Sequence, residues 1–344
     1  MRLQVTHRTH YFYRPPVETA QHMAYLHPCD HACQTLESHD LTISPQPAQQ
    51  GTTLDVYGNL RCFFSLQVAH AELTVLATSV VRTRAHALPS SSLLWQAEKE
   101  RFRYRAGSEF DAATEFVFAS AYVPIHAEFV TYAKPSFLPG ATLLEAAFDL
   151  MQRIHTDFTF DNQSTQVNTP ALTALAQRKG VCQDFAHIML ACLRSMGLPA
   201  RYVSGYLLTE AAPGTEKLVG SDATHAWVSV YIADLPEGAR WCDFDPTNNR
   251  WGWYAPGVDY VTVATGRDFG DVSPLRGVIH GGASHVLTVG VTVEELAPLQ
   301  VRERSTGQFQ SQQQGQTFGQ TFGSYQSQSQ NQGQDQPPDS LRYR

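Results

Sequence analysis

The order of secondary-structure signals along the chain is the feature that most constrains its fold. Residues 1–85 carry short alternating runs of apolar and polar residues, which are typical of half-buried strands. Residues 141–197 instead carry apolar residues at helical spacing, and strand-type runs return between residues 201 and 293. This order, with strands at both ends and helices between them, predicts an α+β fold.

The first 85 residues predict an antiparallel, sandwich-like β region. Short β-type runs lie at Leu3–Val5, Leu41–Ile43 and Leu73–Leu76. A Gly-Asn pair at positions 58–59 marks a hairpin turn. Residues 86–140 are rich in Tyr, Phe and Pro, and we expect an irregular segment that packs onto a neighbour.

Three helices are predicted in the middle of the chain. The first begins at Thr142, which starts a T-x-x-E capping box. The second begins at Thr169-Pro170 and ends at Gly180, because proline favours the first helical position and glycine the end. The third runs from about residue 181 to 196, and its apolar stripe does not include Cys182.

Composition and charge exclude several classes of protein. The chain has 25 basic and 32 acidic residues and a net charge of −7, whereas nucleic-acid binding requires cations that displace phosphate counterions. No apolar stretch has the length of a membrane helix, and the N-terminus has no apolar core of an export signal. Six cysteines in 344 residues form no disulfide framework. We therefore expect a cytoplasmic protein that binds neither nucleic acid nor membrane.

Three short segments supply the side chains that thiol-based acyl transfer requires. Residues 180–184 (GVCQD) contain a thiol, residues 224–227 (THAW) an imidazole, and residues 243–248 (DFDPTN) carboxylates. A thiol nucleophile needs a base that ionises it, and the base needs an acceptor that orients it. The three groups occur in the order Cys, His, Asp.

Cys182 is predicted in the first turn of the third helix, directly after Gly180 and Val181. Free backbone N–H groups and the helix dipole lower the pKa of a thiol there, and the same N–H groups can hold an oxyanion. A single cysteine in a helix usually belongs to the core, and Cys192 fits that interpretation because it lies on the apolar stripe. Cys182 does not.

His225 begins one predicted strand and Asp245 ends the next. The connecting segment, residues 233–240, contains a proline and a glycine, so the two strands are expected to form a hairpin. In an antiparallel pair the start of the first strand lies beside the end of the second, which brings His225 and Asp245 within hydrogen-bonding reach.

The string GVCQDFAHIMLACLRSMGLPARYVSGYL, with HAWVSVYI and FDPTN after it, closely resembles the transglutaminase-like superfamily. The chain is similar to the bacterial two-part members, which carry a β-rich N-terminal region that residues 1–85 match through HRTHYFY and DVYGN. The resemblance covers about residues 1–300. It implies a β-rich region (1–85), a connecting segment (86–140) and a catalytic core with C-terminal strands (141–300). The remaining residues (301–344) are predicted from their composition to form a disordered Gln-rich tail.

The resemblance implies a papain-like thiol enzyme with Cys182 as nucleophile, His225 as base and Asp245 as the group that orients the base. Strand alternation cannot choose between Asp243 and Asp245, because the two positions share one face. The acyl group would pass to water or to an amine, and no cofactor is implied. The substrate would be a peptide or protein, and the resemblance suggests ATP-dependent peptide ligase-like partners. A non-catalytic binding module that reuses the same core is the alternative.

Other residues near the three segments have two interpretations each. Gln183, Asp222 and Trp227 are candidate substrate-binding residues, although Asp222 could equally be a solvated loop acid and Trp227 a core residue. Asp184 is expected to stabilise the helix N-terminus rather than take part in chemistry. Asn248 could orient His225 or simply form a turn.

Two segments are less informative. The soft-ligand cluster His27, Cys29, His31 and Cys33 could supply zinc ligands, but no second ligand pair accompanies it, which favours an ordinary loop and no metal site. The Gln-rich composition after Ser305 predicts disorder. That tail is either an inert extension or a possible acyl donor.

Overall fold

The structure is a computed structural model that describes residues 1–88, 90–103, 110–209, 224–282 and 284–297, so the predicted tail lies outside the described residues. The strands are β1 (Arg2–Ala24), β2 (Gln34–Ser44), β3 (Gln49–Leu54), β4 (Leu60–Leu66), β5 (His70–Thr83), β6 (Thr159–Phe160), β7 (Lys179–Gly180), β8 (Ala200–Leu207), β9 (Thr224–Tyr231), β10 (Trp241–Asp245), β11 (Arg250–Trp253), β12 (Tyr260–Gly266), β13 (Leu275–Gly281) and β14 (Ser284–Glu295). The α-helices are α1 (Trp95–Arg101), α2 (Ala127–Ala133), α3 (Leu143–Asp157), α4 (Ala171–Gln177), α5 (Cys182–Ser195) and α6 (Phe269–Val272).

The N-terminal region is an antiparallel sheet organised around the 23-residue strand β1. The first half of β1 pairs with β5 and β14, and its second half pairs with β4 and β13. β2 and β3 are added outside β5 and β4, which gives the path β2-β5-β1-β4-β3. The predicted β-rich N-terminal region is thereby confirmed.

The predicted hairpin turn joins β3 to β4. Gly58 has a φ of 83°, a left-handed conformation that glycine adopts without a Cβ penalty. One carboxylate oxygen of Asp55 accepts the backbone N–H groups of Tyr57 and Asn59, each at 2.9 Å. The turn is therefore held by its own side chains.

This sheet has an apolar core separate from that of the helices. Its buried side chains come mainly from β1, β2, β4 and β5: Tyr13, Val17, Ala20, Ala24, Leu26, Ile43, Cys62, Phe64, Leu66, Leu73, Val75 and Ala77. A curled sheet that encloses its own core is the sandwich-like arrangement that the sequence predicts.

The C-terminal strands differ from the sequence expectation, which placed them with the catalytic core. β13 and β14 pair with β1, and so they complete the N-terminal sheet. Val291 and Val293 of β14 are fully buried between this sheet and the core. The strand-type pattern shows that a segment is a strand, but it carries no information on which strand pairs with it.

The described residues between β5 and β13 form a core that combines helices with a second antiparallel sheet, in the order β11-β10-β9-β8-β12. Helix α5 packs against β9 and β8, and every side chain from Asp184 to Arg194 is buried. Cys182 and Gln183, at its N-terminus, remain half-buried. The helix thus anchors its body in the core and leaves its first turn accessible.

The predicted helices are present, with shifts at their ends. Thr142 and Glu145 form the capping box that begins α3. Helix α4 begins one residue later than predicted, since Pro170 is its extended N-cap. It ends at Gln177 and is followed by Arg178, which has a φ of 55°. Gly180 does not end that helix but lies in β7.

The segment between residues 86 and 140 is more regular than expected, because it contains α1, α2 and two short 3₁₀ helices at Ala112–Val117 and Lys134–Ser136. Phe129 and Tyr132 of α2 are buried in the core, which agrees with the predicted packing onto a neighbour. Among the described residues, no helix has the length and hydropathy needed to span a membrane.

Candidate active site

Cys182 is the first residue of α5. Asp184 closes this helix end by accepting the Val181 N–H at 2.9 Å and the Thr165 hydroxyl at 2.6 Å. A Cβ on Gly180 would lie 2.6 Å from the same carboxylate, so only glycine leaves room for this cap. Asp184 therefore has the structural role that the sequence favours.

The thiol lies where backbone N–H groups lack helical acceptors. The first N–H groups of any α-helix have no intrahelical partner, and Cys182 and Gln183 occupy the first two positions of α5. The Cys182 Sγ atom lies 4.0 Å from the carbonyl oxygen of Thr224, which begins β9. The Cys182 thiol and the start of β9 are therefore adjacent.

His225 and Asp245 meet at one end of an antiparallel strand pair, as the sequence predicts. β9 and β10 are paired in register, with Phe244 opposite Val228. The His225 Nε2 atom lies 2.7 Å from Asp245 Oδ2. The imidazole is 10% exposed, and the carboxylate is fully buried.

Asp245 is held by four further hydrogen-bond donors. Oδ2 also accepts the Tyr260 hydroxyl and the Asn248 side-chain amide, each at 2.7 Å. Oδ1 accepts the backbone N–H groups of Thr247 at 2.9 Å and Asn248 at 3.3 Å. Burial opposes the charged form, but His225 and the hydrogen bonds outweigh it and keep the pKa of Asp245 below its usual value. The carboxylate is consequently a fixed negative charge.

The carboxylate sets the tautomer and charge of the imidazole. An ionised carboxylate only accepts hydrogen bonds, so Nε2 carries a proton and Nδ1 is left for another partner. Burial alone lowers the pKa of His225, but Asp245, through charge and hydrogen bond, and the adjacent Cys182 thiol raise it to about 10. The arrangement therefore favours an imidazolium beside the thiol.

Comparison with known sequences identifies the family. Residues 131–246 match the transglutaminase-like superfamily, and residues 3–82 match the bacterial transglutaminase-like N-terminal region. An uncharacterised protein of Mycobacterium tuberculosis is 40% identical over 303 residues, which cover 85% of this chain and 92% of that protein. A Mycobacterium leprae protein is 30% identical over 302 residues, covering 86% and 99%. The chain belongs to the transglutaminase-like superfamily.

A solved structure supports the same fold. A candidate cysteine protease from Cytophaga hutchinsonii superposes with a TM-score of 0.62 at 19% identity, covering 87% of this chain and 93% of that one. The match to the transglutaminase-like superfamily contains Cys182, His225 and Asp245.

Asp243, the other carboxylate of the transglutaminase-like segment DFDPTN, has a different partner. Its Oδ2 atom accepts the Trp227 indole N–H at 2.7 Å, and it does not contact His225. Burial raises the pKa of Asp243. Of the two carboxylates, which strand alternation does not distinguish, Asp245 is the one that contacts His225.

The candidate substrate-binding residues have separate positions in the transglutaminase-like core. Trp227 has no exposed surface, so it packs behind His225, with ring centroids 6.1 Å apart, and does not form a pocket wall. Gln183 is half-buried, donates to the Val167 carbonyl at 2.8 Å and lines a cleft beside Cys182. Asp222 lies outside the described residues.

Tyr260 of β12 is a residue that sequence reasoning missed. Its hydroxyl reaches Asp245 from a strand that begins fifteen positions later in the chain. The Arg250 guanidinium stacks on its ring at 4.8 Å and pairs with Asp259 at 2.6 Å through both nitrogens. No motif marks Tyr260, because its role depends on the β8–β12 pairing. Asn248, by contrast, was noted, and its side-chain amide lies 2.7 Å from Asp245 Oδ2 and 3.2 Å from His225 Nε2.

The four soft ligands between residues 27 and 33 have separate contacts. Cys29 Sγ faces the Thr262 carbonyl at 3.6 Å, and Cys33 Sγ faces the Trp253 carbonyl at 3.8 Å. The His27 ring packs on His39, while His31 Nδ1 accepts the Cys33 N–H. In the described part of the chain, no three His, Cys, Asp or Glu side chains form a group that could hold a metal ion.

Proposed function

We propose that this protein is a cysteine enzyme that takes an acyl group from a carboxamide or peptide and forms a thioester on Cys182. The observation that carries the proposal is the hydrogen bond of 2.7 Å between His225 and the buried Asp245, on the side of the site next to the thiol. A nucleophile, a base and an orienting acceptor in this arrangement match the requirements of thiol acyl transfer.

The first half-reaction follows from the charges at the site. The Cys182 thiolate attacks the carbonyl carbon, and the new C–S bond places negative charge on the oxygen. Free N–H groups at the start of α5 stabilise that oxyanion. The C–N bond then breaks, and the leaving nitrogen takes the proton from His225 Nδ1. Ammonia or an amine departs, and the acyl group remains on sulfur.

The second half-reaction regenerates the site. Water or an amine attacks the thioester and gives one proton to the neutral His225, the C–S bond breaks, and the thiolate and imidazolium are restored. Water yields an acid and therefore hydrolysis, whereas an amine yields a new amide. Because both acceptors use the same three groups, we propose the shared acyl-enzyme chemistry and give hydrolysis precedence, since bulk water competes with every amine acceptor.

Mass spectrometry of a mixed pool of Gln-containing peptides tests this proposal. The pool is incubated with the protein and a primary amine, in parallel with Cys182→Ala. Cys29→Ala is a matched control, because Cys29 is the other half-buried thiol and is bonded to Thr262 rather than to the site.

A hydrolase would be established if the protein and Cys29→Ala cleave or deamidate peptides and Cys182→Ala does not. Peptides that gain the amine would establish a transferase. If Cys182→Ala changes the peptides as the unaltered protein does, or if neither changes them, the proposed function is refuted and the alternative of a binding module is favoured.

A further inference from the structure

A cleft lies between the N-terminal sheet and the catalytic core, directly beside the proposed nucleophile. Its volume is about 340 Å³, which is within the range of small-molecule and side-chain binding sites. On the core side it is lined by Val167, Gln183 and Thr224. Gln183 follows Cys182 in the chain, and Thr224 precedes His225 and places its carbonyl oxygen 4.0 Å from Sγ.

The opposite wall comes from the N-terminal sheet. β1 and β14 pair so that Tyr11 lies opposite Leu287 and Thr9 opposite Val289, and all four side chains face the cleft. Leu287 and Val289 are each 48% exposed, so about half of each apolar side chain is open to solvent on the cleft side of the strand. The two strands thus present an apolar surface to the active site.

The lining has no formal charge. His7 at the base of the cleft is 1% exposed, and both ring nitrogens are bonded, Nδ1 to the Tyr206 hydroxyl at 2.9 Å and Nε2 to the Thr9 hydroxyl at 3.1 Å. Burial lowers the pKa of His7 to about 4, so the ring is neutral at pH 7. Among the described lining residues there is no Asp, Glu, Lys or Arg.

We propose that this cleft, through Leu287 and Val289, selects acyl donors that carry an apolar side chain next to the reacting carbonyl. The inference rests on the proposed function for the position of that carbonyl. The occupant is the substrate peptide, since the cleft begins at the residues that flank the nucleophile and the base. A charged side chain there would lose hydration without gaining an ionic partner from the described lining residues, whereas an apolar one would bury surface against both strands.

Binding to Cys182→Ala tests the inference without requiring turnover. Two fluorescein-labelled peptides, Ala-Leu-Gln-Leu-Ala and Ala-Glu-Gln-Glu-Ala, are titrated and followed by fluorescence anisotropy. In the Cys182→Ala background we expect the Leu peptide to bind about tenfold to a hundredfold more tightly. Adding Leu287→Lys should reverse this preference, because the new ammonium group attracts the carboxylates of the Glu peptide.

Val286→Lys is the matched control in the same background. Val286 is the neighbouring residue of the same strand, 64% exposed, and alternation turns it to the opposite face. It should keep the preference for the Leu peptide. Three results would overturn the inference. Leu287→Lys could leave the preference unchanged, Val286→Lys could reverse it equally, or neither peptide could bind. If the binding preference is found but no peptide is turned over by the unaltered protein, only the proposed function fails.

Discussion

Replacing the orienting carboxylate should change the charge of His225. In Asp245→Asn the buried negative charge disappears, and the amide cannot accept all the donors that converge on the two oxygens of Asp245. The pKa of His225 is raised to about 10 from an ordinary value of 6.5. At about 1.4 kcal/mol per pKa unit, the site as a whole, with the opposing effect of burial included, stabilises the imidazolium by about 5 kcal/mol relative to an imidazole in water.

The variant should therefore have a neutral His225 at pH 7. Without the charge, burial is the dominant remaining influence, and it lowers the pKa of His225 below 6.5. Long-range ¹H–¹⁵N correlation spectra of the protein labelled with ¹⁵N-histidine report the protonation of each ring as the pH is varied. Of the 14 histidines, His225 is assigned by the signal that His225→Gln removes.

Asp243→Asn is the control for this prediction. Asp243 is also buried on β10, but it bonds to Trp227 and not to His225, so His225 should remain protonated at pH 8 in this variant. The free energy of unfolding also depends on the pKa of His225. Because this pKa is higher in the folded protein than in the unfolded chain, protonation of His225 stabilises the fold below pH 6.5, and this contribution is lost as the pH rises towards 10. A neutral His225 at pH 7 in the unaltered protein, or an unchanged titration in Asp245→Asn, would refute the reasoning.

Two further substitutions test the support of the site. Tyr260→Phe removes a hydrogen bond of 2.7 Å to a buried carboxylate and should destabilise the fold by about 1.5–3 kcal/mol in urea unfolding at pH 7. Because the pKa of Asp245 is lowered on folding, this loss should shrink only as the pH falls through that lowered pKa, and a loss that stays constant after Asp245 has been protonated would contradict the account. Gly205→Ala places a methyl group against the Val261 carbonyl oxygen and 2.6 Å from the Trp227 ring, behind His225. We expect a lower Tm, with about 1–3 kcal/mol lost, and a Tm equal to that of the unaltered protein would show that the packing is looser than described.

The positions of the site residues could be predicted because each lies at the end of a secondary-structure element. Gly180 and the apolar stripe of the third helix identify its first turn, and the turn residues between β9 and β10 indicate a hairpin. These local signals are sufficient to bring His225 beside Asp245. The choice against Asp243 needed the structure, since it depends on where the Trp227 ring lies.

The remaining features depend on pairing between distant segments. The alternation of β14 predicts a strand, but its partner β1 lies at the other end of the chain. The same limit applies to Tyr260, which reaches Asp245 only because β12 is placed at the edge next to β8. The cleft between the two sheets exists only after both pairings have formed, so no single segment could reveal it.

The most direct test of the central claim compares the six thiols in one reaction. Burial raises the pKa of Cys29 to about 12, and it also raises the pKa values of four others: Cys33, Cys62, Cys192 and Cys242. The protein is treated with iodoacetamide at pH 6, and the labelling rate of each cysteine is followed by peptide mass spectrometry.

We predict that Cys182 is labelled first, and that His225→Ala slows its labelling by about a hundredfold, which is within the usual contribution of a positioned base. Labelling of Cys182 no faster than that of Cys29, or at a rate unchanged by His225→Ala, would contradict the assignment of Cys182 as an activated nucleophile.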